Sequence, residues 1–348
     1  MSTQDQTMTA PAPAPAKVAK ISFVEGLHMA LDEAMGADEN VIALGEDVGD
    51  AQGGGVFKIT KGLSTKYGVN RVRATPISEQ AIIGAAVGAA LVGMRPVAEI
   101  MLMNFVTVAM DQIVNHAAKL RFMSGGQTHV PLVIRTTTGV GVGFGGQHSD
   151  MLEAWFAHVP GLKVVMASNP ADAYGLLHSA IEDDDPVILI ENILCYGIQG
   201  PAPTPGYRVP LGKAAITREG TDVSIISYGK AVLDALAVAE RLAAEGVSVE
   251  VVDLRTIAPF DEATVLASVG KTGRAVIVHE AVKAYGTGAE MSSRIHEELF
   301  GQLHAPVQRV GGTYSPVPFS PALEKAWIHS QDQITAAVRR TLDWKKPR

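Results

Sequence analysis

Short, uniformly apolar segments alternate with longer segments of helical periodicity along most of the chain. At the start, Phe23, Leu27, Leu31 and Met35 recur at helical spacing, and Gly36 follows as a stop signal. Alternation of this kind predicts a parallel sheet covered by helices. In the first half, the predicted strands cover 41–44, 72–75, 96–99, 131–136, 163–166 and 187–190, and the predicted helices between them cover 81–92, 106–122 and 171–181.

A cluster of prolines and glycines over residues 201–210 interrupts this pattern, and strands and helices resume beyond it. The later strands are predicted at 223–226, 248–252, 275–278 and 307–310, with a last helix at 331–342. We therefore predict an α/β fold of two domains, each with a mostly parallel sheet flanked by helices. The expected division is a flexible Ala/Pro-rich lead-in at 1–20, a first domain at 21–200, a linker at 201–210 and a second domain at 211–348.

The predicted helix at 81–92 is rich in small residues, including Gly84 and Gly88. Glycine inside a helix costs about 1 kcal/mol relative to alanine, so its presence calls for a compensating benefit. A face with almost no side chains allows another backbone to approach closely. Tight packing within the domain and a subunit interface are both consistent with this pattern.

The composition is that of an ordinary folded enzyme, with 47% hydrophobic and 19% charged residues in 348. The net charge of -7 argues against nucleic acid or an anionic membrane as the main partner. The single cysteine, Cys195, lies in an apolar segment and is expected in the core, with no internal disulfide possible. The longest uncharged apolar stretch, 80–94, is shorter than the roughly 20 residues that span a bilayer. The N-terminus lacks the pattern of a signal peptide or a mitochondrial address, so we expect a cytoplasmic protein.

Glu79 follows a predicted strand and enters the first turn of the next helix. In open α/β sheets, side chains at the carboxyl ends of the strands face the ligand crevice, and a helix N-terminus stabilises a carboxylate. An acid in a first turn is often only a helix cap. The apolar, small-residue run that follows favours a buried carboxylate with a function.

His148 follows a glycine-rich segment at 139–146 that also comes after a strand. Histidine is the side chain best suited to proton transfer near neutral pH. Residues 141–146 match the pattern GxGxxG, but the acidic residue expected near Met166 in a dinucleotide-binding domain is missing. A structural role for His148 therefore stays open beside a catalytic one.

Four acids, Glu182 to Asp185, stand at the end of the predicted helix 171–181. Acidic residues at a helix C-terminus oppose the helix dipole and repel one another. A solvated surface turn would explain them. A bound cation is the alternative, because carboxylates and free helix carbonyls are hard oxygen ligands.

Ten segments of the chain, in this order, resemble the beta subunits of the thiamine-diphosphate-dependent decarboxylating component of 2-oxo acid and acetoin dehydrogenase complexes. They are ALDEAM (30–35), LGEDVG (44–49), TPISEQ (75–80), AAVGAALVGMRPVAEI (85–100), DQIVNHAAKLRFMSGG (111–126), QHS (147–149), HVPGLKVV (158–165), DLRTIAPFDE (253–262), KTGRAVIVHEA (271–281) and SPVPFSPALE (315–324). The resemblance implies a transketolase-like pyrimidine-binding domain followed by a transketolase C-terminal-like domain.

The resemblance also implies roles for three side chains. Glu79 matches the glutamate that contacts N1′ of the thiamine aminopyrimidine, where a carboxyl group favours the imino tautomer that can take the C2 proton of the thiazolium ring. Phe105 matches the aromatic side chain beside the aminopyrimidine. His148 matches the histidine near the reacting centre, implicated in proton transfer and in passing the acyl group to lipoamide.

A structural monovalent-cation site, expected to hold K⁺, is implied in the same way. Its matched positions are Leu132 and Ala180, through their carbonyls, with Asp183 and Asp185. The family often has an amide where Asp185 stands.

Thiamine enzymes usually hold Mg²⁺ and the diphosphate with a Gly-Asp-Gly motif followed by an asparagine, and this sequence contains no Gly-Asp-Gly. In the family, that motif belongs to the alpha subunit. The resemblance therefore implies an α2β2 heterotetramer, thiamine diphosphate shared between the two subunits, and Mg²⁺ held mainly by the alpha subunit. The C-terminal domain would contribute to subunit pairing and to docking the lipoyl acyltransferase component.

The implied reaction is the oxidative decarboxylation of a 2-oxo acid, with acyl transfer to the disulfide of lipoamide. TPISE resembles pyruvate-type relatives, whereas residues 54–63 and 316–320 resemble acetoin-type ones. We expect pyruvate to be the substrate. The alternatives are cleavage of acetoin and oxidation of a branched-chain 2-oxo acid. Two other classes of function remain: an NAD-dependent dehydrogenase that uses the glycine-rich segment as a phosphate cradle, and a non-catalytic scaffold.

Overall fold

The computed structural model describes residues 19–345, so residues 1–18 of the predicted lead-in lie outside the described part of the chain. The strands are β1 Lys20–Ser22, β2 Val41–Glu46, β3 Val72–Thr75, β4 Arg95–Ile100, β5 Val133–Thr138, β6 Lys163–Met166, β7 Val187–Asn192, β8 Gln199–Pro201, β9 Ala215–Arg218, β10 Val223–Ser227, β11 Val249–Asp253, β12 Thr256–Ala258, β13 Ala275–Val282 and β14 Gln308–Gly312. The helices are α1 Phe23–Ala37, α2 Leu63–Tyr67, α3 Glu79–Leu91, α4 Met103–Val106, α5 Leu120–Met123, α6 Glu153–Ala157, α7 Pro170–Glu182, α8 Lys230–Ala243, α9 Glu262–Thr272, α10 Thr287–Leu299, α11 Pro321–Trp327 and α12 Gln331–Leu342.

Two mostly parallel sheets form the described molecule, as the sequence predicts. The first has seven strands in the order β12-β6-β7-β5-β4-β2-β3, and only β12 pairs antiparallel to its neighbour. The second has five strands in the order β14-β13-β10-β11-β9, with β9 antiparallel. A small antiparallel pair, β1-β8, joins the two ends of the first domain.

The central strands of the first sheet, β2, β4, β5, β6 and β7, are buried on both faces. In β2, Ile42 and Leu44 belong to a core that continues into the second domain, whereas Val41 and Ala43 face α1 and α7. Side chains of a strand alternate between faces, so one continuous apolar run serves both layers.

Helix α1 packs closely against α7, and Gly26 allows this approach. A Cβ atom at Gly26 would lie 2.6 Å from the carbonyl oxygen of Pro170. In α3, by contrast, a Cβ atom at Gly88 would meet no atom within 4 Å, although Gly84 faces Gln112. Tight packing within the chain therefore accounts for Gly84 but not for Gly88.

These two helical glycines should respond in opposite ways to replacement by alanine. Gly88→Ala should stabilise the isolated chain by about 1 kcal/mol, because alanine is the better helix former at an open position. Gly26→Ala should destabilise it by about 1–3 kcal/mol, since the added methyl group overpacks the contact with Pro170. Urea denaturation of the two variants checks the signs. Equal stabilisation by both would show that α1 and α7 are not in the described contact.

The prediction of a single helix at 106–122 is wrong. The segment consists of α4, a 3₁₀ turn at 107–109, a π-helix at Gln112–Ala117 and α5. Val106, Thr107 and Val108 are β-branched and disfavour a regular helix, and the Thr107 hydroxyl donates to the Asn104 carbonyl at 2.6 Å. Periodicity alone does not reveal these changes of winding.

The two domains share more structure than the predicted linker suggests. Strand β12, from the second half of the sequence, adds to the edge of the first sheet beside β6. Val209, inside the predicted linker, is buried in the core of the first domain. The boundary at 201–210 remains a proposal, supported by the absence of a regular element between β8 and β9 in the described chain.

The interface between the domains contains several buried carboxyl groups. The Ser168 hydroxyl donates to Asp253 at 2.5 Å, the Tyr228 hydroxyl donates to Glu153 at 2.6 Å, and the Asn192 amide donates to Glu280. Burial raises the pKa of Asp253 to about 7 and that of Glu280 to about 8. Burial therefore shifts both carboxyl groups toward their neutral form.

Glu280 should make the protein less stable as the pH rises. Its ordinary pKa is 4.5 and its native pKa is about 8, so the folded state keeps a proton that the unfolded state releases, and stability declines between these two pH values. Glu280→Gln should flatten this decline in thermal unfolding measured across the same range, whereas exposed Glu298→Gln should not. An unchanged slope in Glu280→Gln would contradict a buried, protonated carboxyl group.

Within residues 19–345, no helix is both long and apolar enough to cross a membrane.

Candidate active site

The carboxyl ends of four adjacent strands of the first sheet converge on one edge. In the order β5-β4-β2-β3, these ends lead to His148, Phe105, Glu46 and Glu79. Since neighbouring strands lie about 4.8 Å apart, the ends of these four strands span roughly 14 Å. Glu79 and Phe105, predicted to bind the cofactor, and His148, predicted to be catalytic, therefore follow neighbouring strands at the same end of the sheet.

Glu79 is the first residue of α3 and is 8% exposed. The Ser78 side chain makes no capping hydrogen bond at this helix end. The partial positive charge of the N-terminus therefore acts directly on the Glu79 carboxyl group. Among residues 19–345 the Glu79 carboxyl group has no hydrogen-bond partner, so its oxygens remain able to accept a hydrogen bond from a ligand.

Glu46 is a residue that the sequence reasoning did not single out. It ends β2 beside Thr75 of β3, and burial, with the nearby charges of Glu79 and Asp47, raises its pKa. Two carboxyl groups thus influence each other at this edge. The available signal was an acid directly after an apolar strand, within the segment LGEDVG.

The rings of Phe105 and His148 lie next to each other. Their centroids are 5.3 Å apart in an edge-to-face arrangement, and Phe144 lies 6.5 Å from the imidazole on another side. His148 lines an apolar cavity of about 360 Å³ with Phe57, Leu102 and Phe144. A small organic molecule with an apolar ring fits this chemistry, and the imidazole is the group able to transfer protons within it.

Asn104 connects the loop of His148 to the end of β4. Its amide nitrogen donates to the Asp150 carboxylate at 2.7 Å, and its amide oxygen accepts from the Asp150 backbone at 3.1 Å. The Thr138 hydroxyl donates to the Asp150 carbonyl at 2.7 Å. Sequence reasoning did not identify Asn104, since nothing local predicts a partner 46 residues away.

Residues 139–146, called the glycine loop below, already bind an anion from the same chain. The backbone N–H groups of Gly141 and Gly143 donate to the Glu324 carboxylate at 2.7 and 3.1 Å. A dinucleotide phosphate would need these donors. Their occupation by Glu324 counts against the NAD-dependent alternative.

The positions predicted to bind a monovalent cation lie close together, but basic side chains contact their carboxylates. Lys163 contacts Asp183 at 2.6 Å, and Arg121 contacts Asp185 at 2.6 Å. Burial raises the pKa of Asp185, but the hydrogen bond and charge of Arg121, with Lys163, outweigh it and lower the pKa.

Backbone carbonyls are the remaining oxygen ligands at this position. The Leu132 carbonyl accepts from the Val187 N–H at 2.9 Å, and Ala180 lies in the last turn of α7. Arg95 donates to the carbonyls of Ile181 and Asp183 at 3.0 and 3.2 Å. The cation site stays a prediction, and any ion there would depend on backbone oxygens.

Residues 19–345 contain no group of three or more His, Cys, Asp or Glu side chains arranged to hold a metal ion. Cys195 is buried, as predicted, and burial raises its pKa well above the ordinary value. A thiol in this environment stays protonated and is a poor nucleophile.

Two family models cover most of the chain. Residues 19–196 match the pyrimidine binding domain of transketolase, and residues 212–334 match the transketolase C-terminal domain. The fold is also similar to that of a solved structure described as a split gene transketolase, inactive beta4 tetramer. That likeness has a TM-score of 0.75 at 24% identity and covers 94% of this chain and 99% of the other.

Several characterised proteins are similar over nearly the whole chain. The beta subunit of acetoin:2,6-dichlorophenolindophenol oxidoreductase from Cupriavidus necator is 46% identical, over 93% of this chain and 98% of the relative. Subunit beta-2 of the mitochondrial pyruvate dehydrogenase E1 component from Oryza sativa is 46% identical, over 93% and 87%. The 2-oxoisovalerate dehydrogenase subunit beta from Bacillus subtilis is 41% identical, over 93% and 99%. The chain therefore belongs to the transketolase-type family of beta subunits of 2-oxo acid and acetoin dehydrogenases.

Proposed function

We propose that this chain is the beta subunit of a thiamine-diphosphate-dependent 2-oxo acid dehydrogenase of the pyruvate type, active only with an alpha subunit. The observation that carries the proposal is the alignment of Glu79, Phe105 and His148 along one sheet edge, in a family whose members include pyruvate dehydrogenase beta subunits. Acetoin cleavage and oxidation of a branched-chain 2-oxo acid are the alternatives within the same chemistry.

The residues present fit the aminopyrimidine half of the cofactor. When bound, thiamine diphosphate supplies the carbon nucleophile and the electron sink for decarboxylation. Glu79 would accept a hydrogen bond from the aminopyrimidine and polarise it, while Phe105 would pack beside that ring. His148 would move protons at the substrate end, within the apolar cavity that it lines.

The rest of the site would come from an alpha subunit with a Gly-Asp-Gly motif, holding the diphosphate and most of the Mg²⁺ ligands. A subunit contact is supported by the open face of α3, where Ala81, Ala85, Gly88 and Val92 are exposed at helical spacing. Val92 is 80% exposed and Phe122 is 89% exposed, and apolar surface of this kind marks interaction sites. We propose an α2β2 heterotetramer whose beta C-terminal domains also dock a lipoyl acyltransferase.

Two further parts of the proposal concern an ion and the compartment. A structural K⁺ would lie among the carbonyls near Leu132 and Ala180, with Asp183 and Asp185. The protein would act in the cytoplasm, where its single free thiol at Cys195 would stay reduced.

Substrate choice is tested on the co-purified pair of this chain and its alpha partner. Turnover with thiamine diphosphate, Mg²⁺ and an artificial electron acceptor is compared on pyruvate, branched-chain 2-oxo acids and acetoin, with a His148→Ala pair as the control. We expect the highest kcat/KM on pyruvate. A higher value on acetoin or a branched-chain acid would replace the pyruvate assignment with that alternative.

A further inference from the structure

The C-terminal domain reaches across to the glycine loop through residues 315–327. The Glu324 carboxylate accepts from the Gly141 N–H at 2.7 Å and from the Gly143 N–H at 3.2 and 3.1 Å through its two oxygens. These donors come from residues more than 180 positions earlier in the sequence. Alternate N–H groups that point to one anion form an anion-binding concavity, filled here by a side chain of the other domain.

Glu324 is held firmly in this place. It lies in the first turn of α11, is 3% exposed, and its backbone N–H donates to the Ser320 carbonyl at 2.8 Å. A small apolar cluster of Val140, Val317 and Trp327 joins the same two segments beside it. The Trp327 indole donates to the Ser315 carbonyl at 2.8 Å, which fixes the segment before the helix.

Phe319 of the same segment covers the end of the glycine loop. A Cβ atom at Gly145 would lie 2.4 Å from the Phe319 ring, so only glycine allows this contact, and Gly145 has φ of +71°. The His148 N–H donates to the Gly145 carbonyl at 3.3 Å. Phe319 and His148 line the same cavity. The C-terminal domain thus contacts the glycine loop at both ends of the turn that leads to His148.

We propose that Glu324 is a positioning residue for His148, whose carboxylate holds the glycine loop in the conformation that places the imidazole beside Phe105. The contacts described above define the conformation of the glycine loop. The effect of Glu324 on catalysis through His148 rests on the proposed function. A glutamine at 324 would offer only one acceptor oxygen and would direct an amide N–H toward an N–H of the loop. It would therefore release the loop without changing the size of the side chain.

Amide hydrogen exchange of the full chain tests the contact without depending on activity. In Glu324→Gln, we expect exchange in residues 139–148 to be roughly tenfold faster or more, because hydrogen bonds to a charged group are lost. Lys325→Gln, an exposed change on the same helix, should leave this exchange unaltered. Glu324→Asp keeps the negative charge but is one methylene shorter. We expect its exchange rate in residues 139–148 to lie between those of the wild type and Glu324→Gln. Unchanged exchange in both Glu324 variants overturns the proposal.

A double-mutant cycle in the active pair tests the link to His148. Glu324→Gln should lower kcat more than it changes KM, and in a His148→Ala background it should cause no further loss. Equal losses in both backgrounds would overturn the positioning role, even if the loop is held as described. If the wild-type pair shows no turnover, the proposed function fails, and the exchange measurement alone decides whether Glu324 holds the loop.

Discussion

Replacing Glu79 with glutamine is expected to lower the turnover of the reconstituted pair by roughly 10²–10⁴-fold, the range over which positioned acid–base groups contribute. Glutamine has nearly the same size, so the start of α3 and the assembly of the subunits should be preserved. What is lost is the anionic acceptor at the helix N-terminus, which we propose polarises the aminopyrimidine. The neighbouring Glu46 ends a different strand, β2, so it does not occupy the position of Glu79 at the start of α3.

The measurement is kcat of the wild-type and Glu79→Gln pairs at saturating thiamine diphosphate, with the subunit stoichiometry checked for each. Exposed Glu39→Gln is the matched control for a lost carboxylate and should keep full activity. An assembled Glu79→Gln pair with nearly wild-type kcat would remove Glu79 from the chemistry and favour a scaffold function.

The second large effect concerns stability. Arg135 is buried in the middle of the first sheet and contacts Glu99 at 2.7 Å and Glu191 at 2.8 and 2.9 Å in a bidentate pair. The Tyr196 hydroxyl also donates to Glu191 at 2.6 Å. Burial opposes the charge of Arg135, but Glu191 and Glu99 outweigh it and raise the pKa of its guanidinium group. Arg135→Met would leave two buried carboxylates without a cation, and we expect a loss of about 3–5 kcal/mol.

Urea denaturation of the isolated chain measures this loss. Arg339→Met is the matched control, because Arg339 pairs with Glu245 at 2.8 Å on the surface, with side chains 56% and 47% exposed. Such a pair should contribute about 0–1 kcal/mol. The loss in Arg135→Met should also shrink as the pH falls, since burial raises the pKa of Glu191 and its carboxyl group then becomes neutral. Equal, small losses in both variants would contradict a desolvated ion network in the sheet.

Most of the fold is predictable from the sequence because each buried strand carries its own signal. Strands β3 and β6 and helix α12 have the predicted bounds, and the apolar runs before Glu79 and the glycine loop indicate correctly that both follow strands. The order of the strands is not local information. The strand order depends on crossovers that bring strands such as β2 and β4 together. The shared position of Glu79, Phe105 and His148 at one end of the sheet depends on this order.

The contacts that position the site are the part that local patterns miss. Glu324 lies 183 residues from Gly141, and Arg135 lies 56 residues from Glu191, so neither pair leaves a trace in spacing. Arg135 stands in a run that reads simply as a buried strand. The partner of Glu324 is a set of backbone N–H groups, and backbone groups carry no sequence signal. Buried polar partners of this kind can be identified only from coordinates.

We propose that this chain holds one half of a thiamine site and needs a second chain for the other half. The most direct test of this proposal compares three samples: this chain, a partner with a Gly-Asp-Gly motif followed by an asparagine, and the two mixed. Each sample is assayed with thiamine diphosphate, Mg²⁺ and an artificial electron acceptor on the preferred substrate. We expect turnover in the mixture and none from either chain alone. Full turnover by this chain alone, or a stable mixture inactive on every 2-oxo acid and on acetoin, would contradict it.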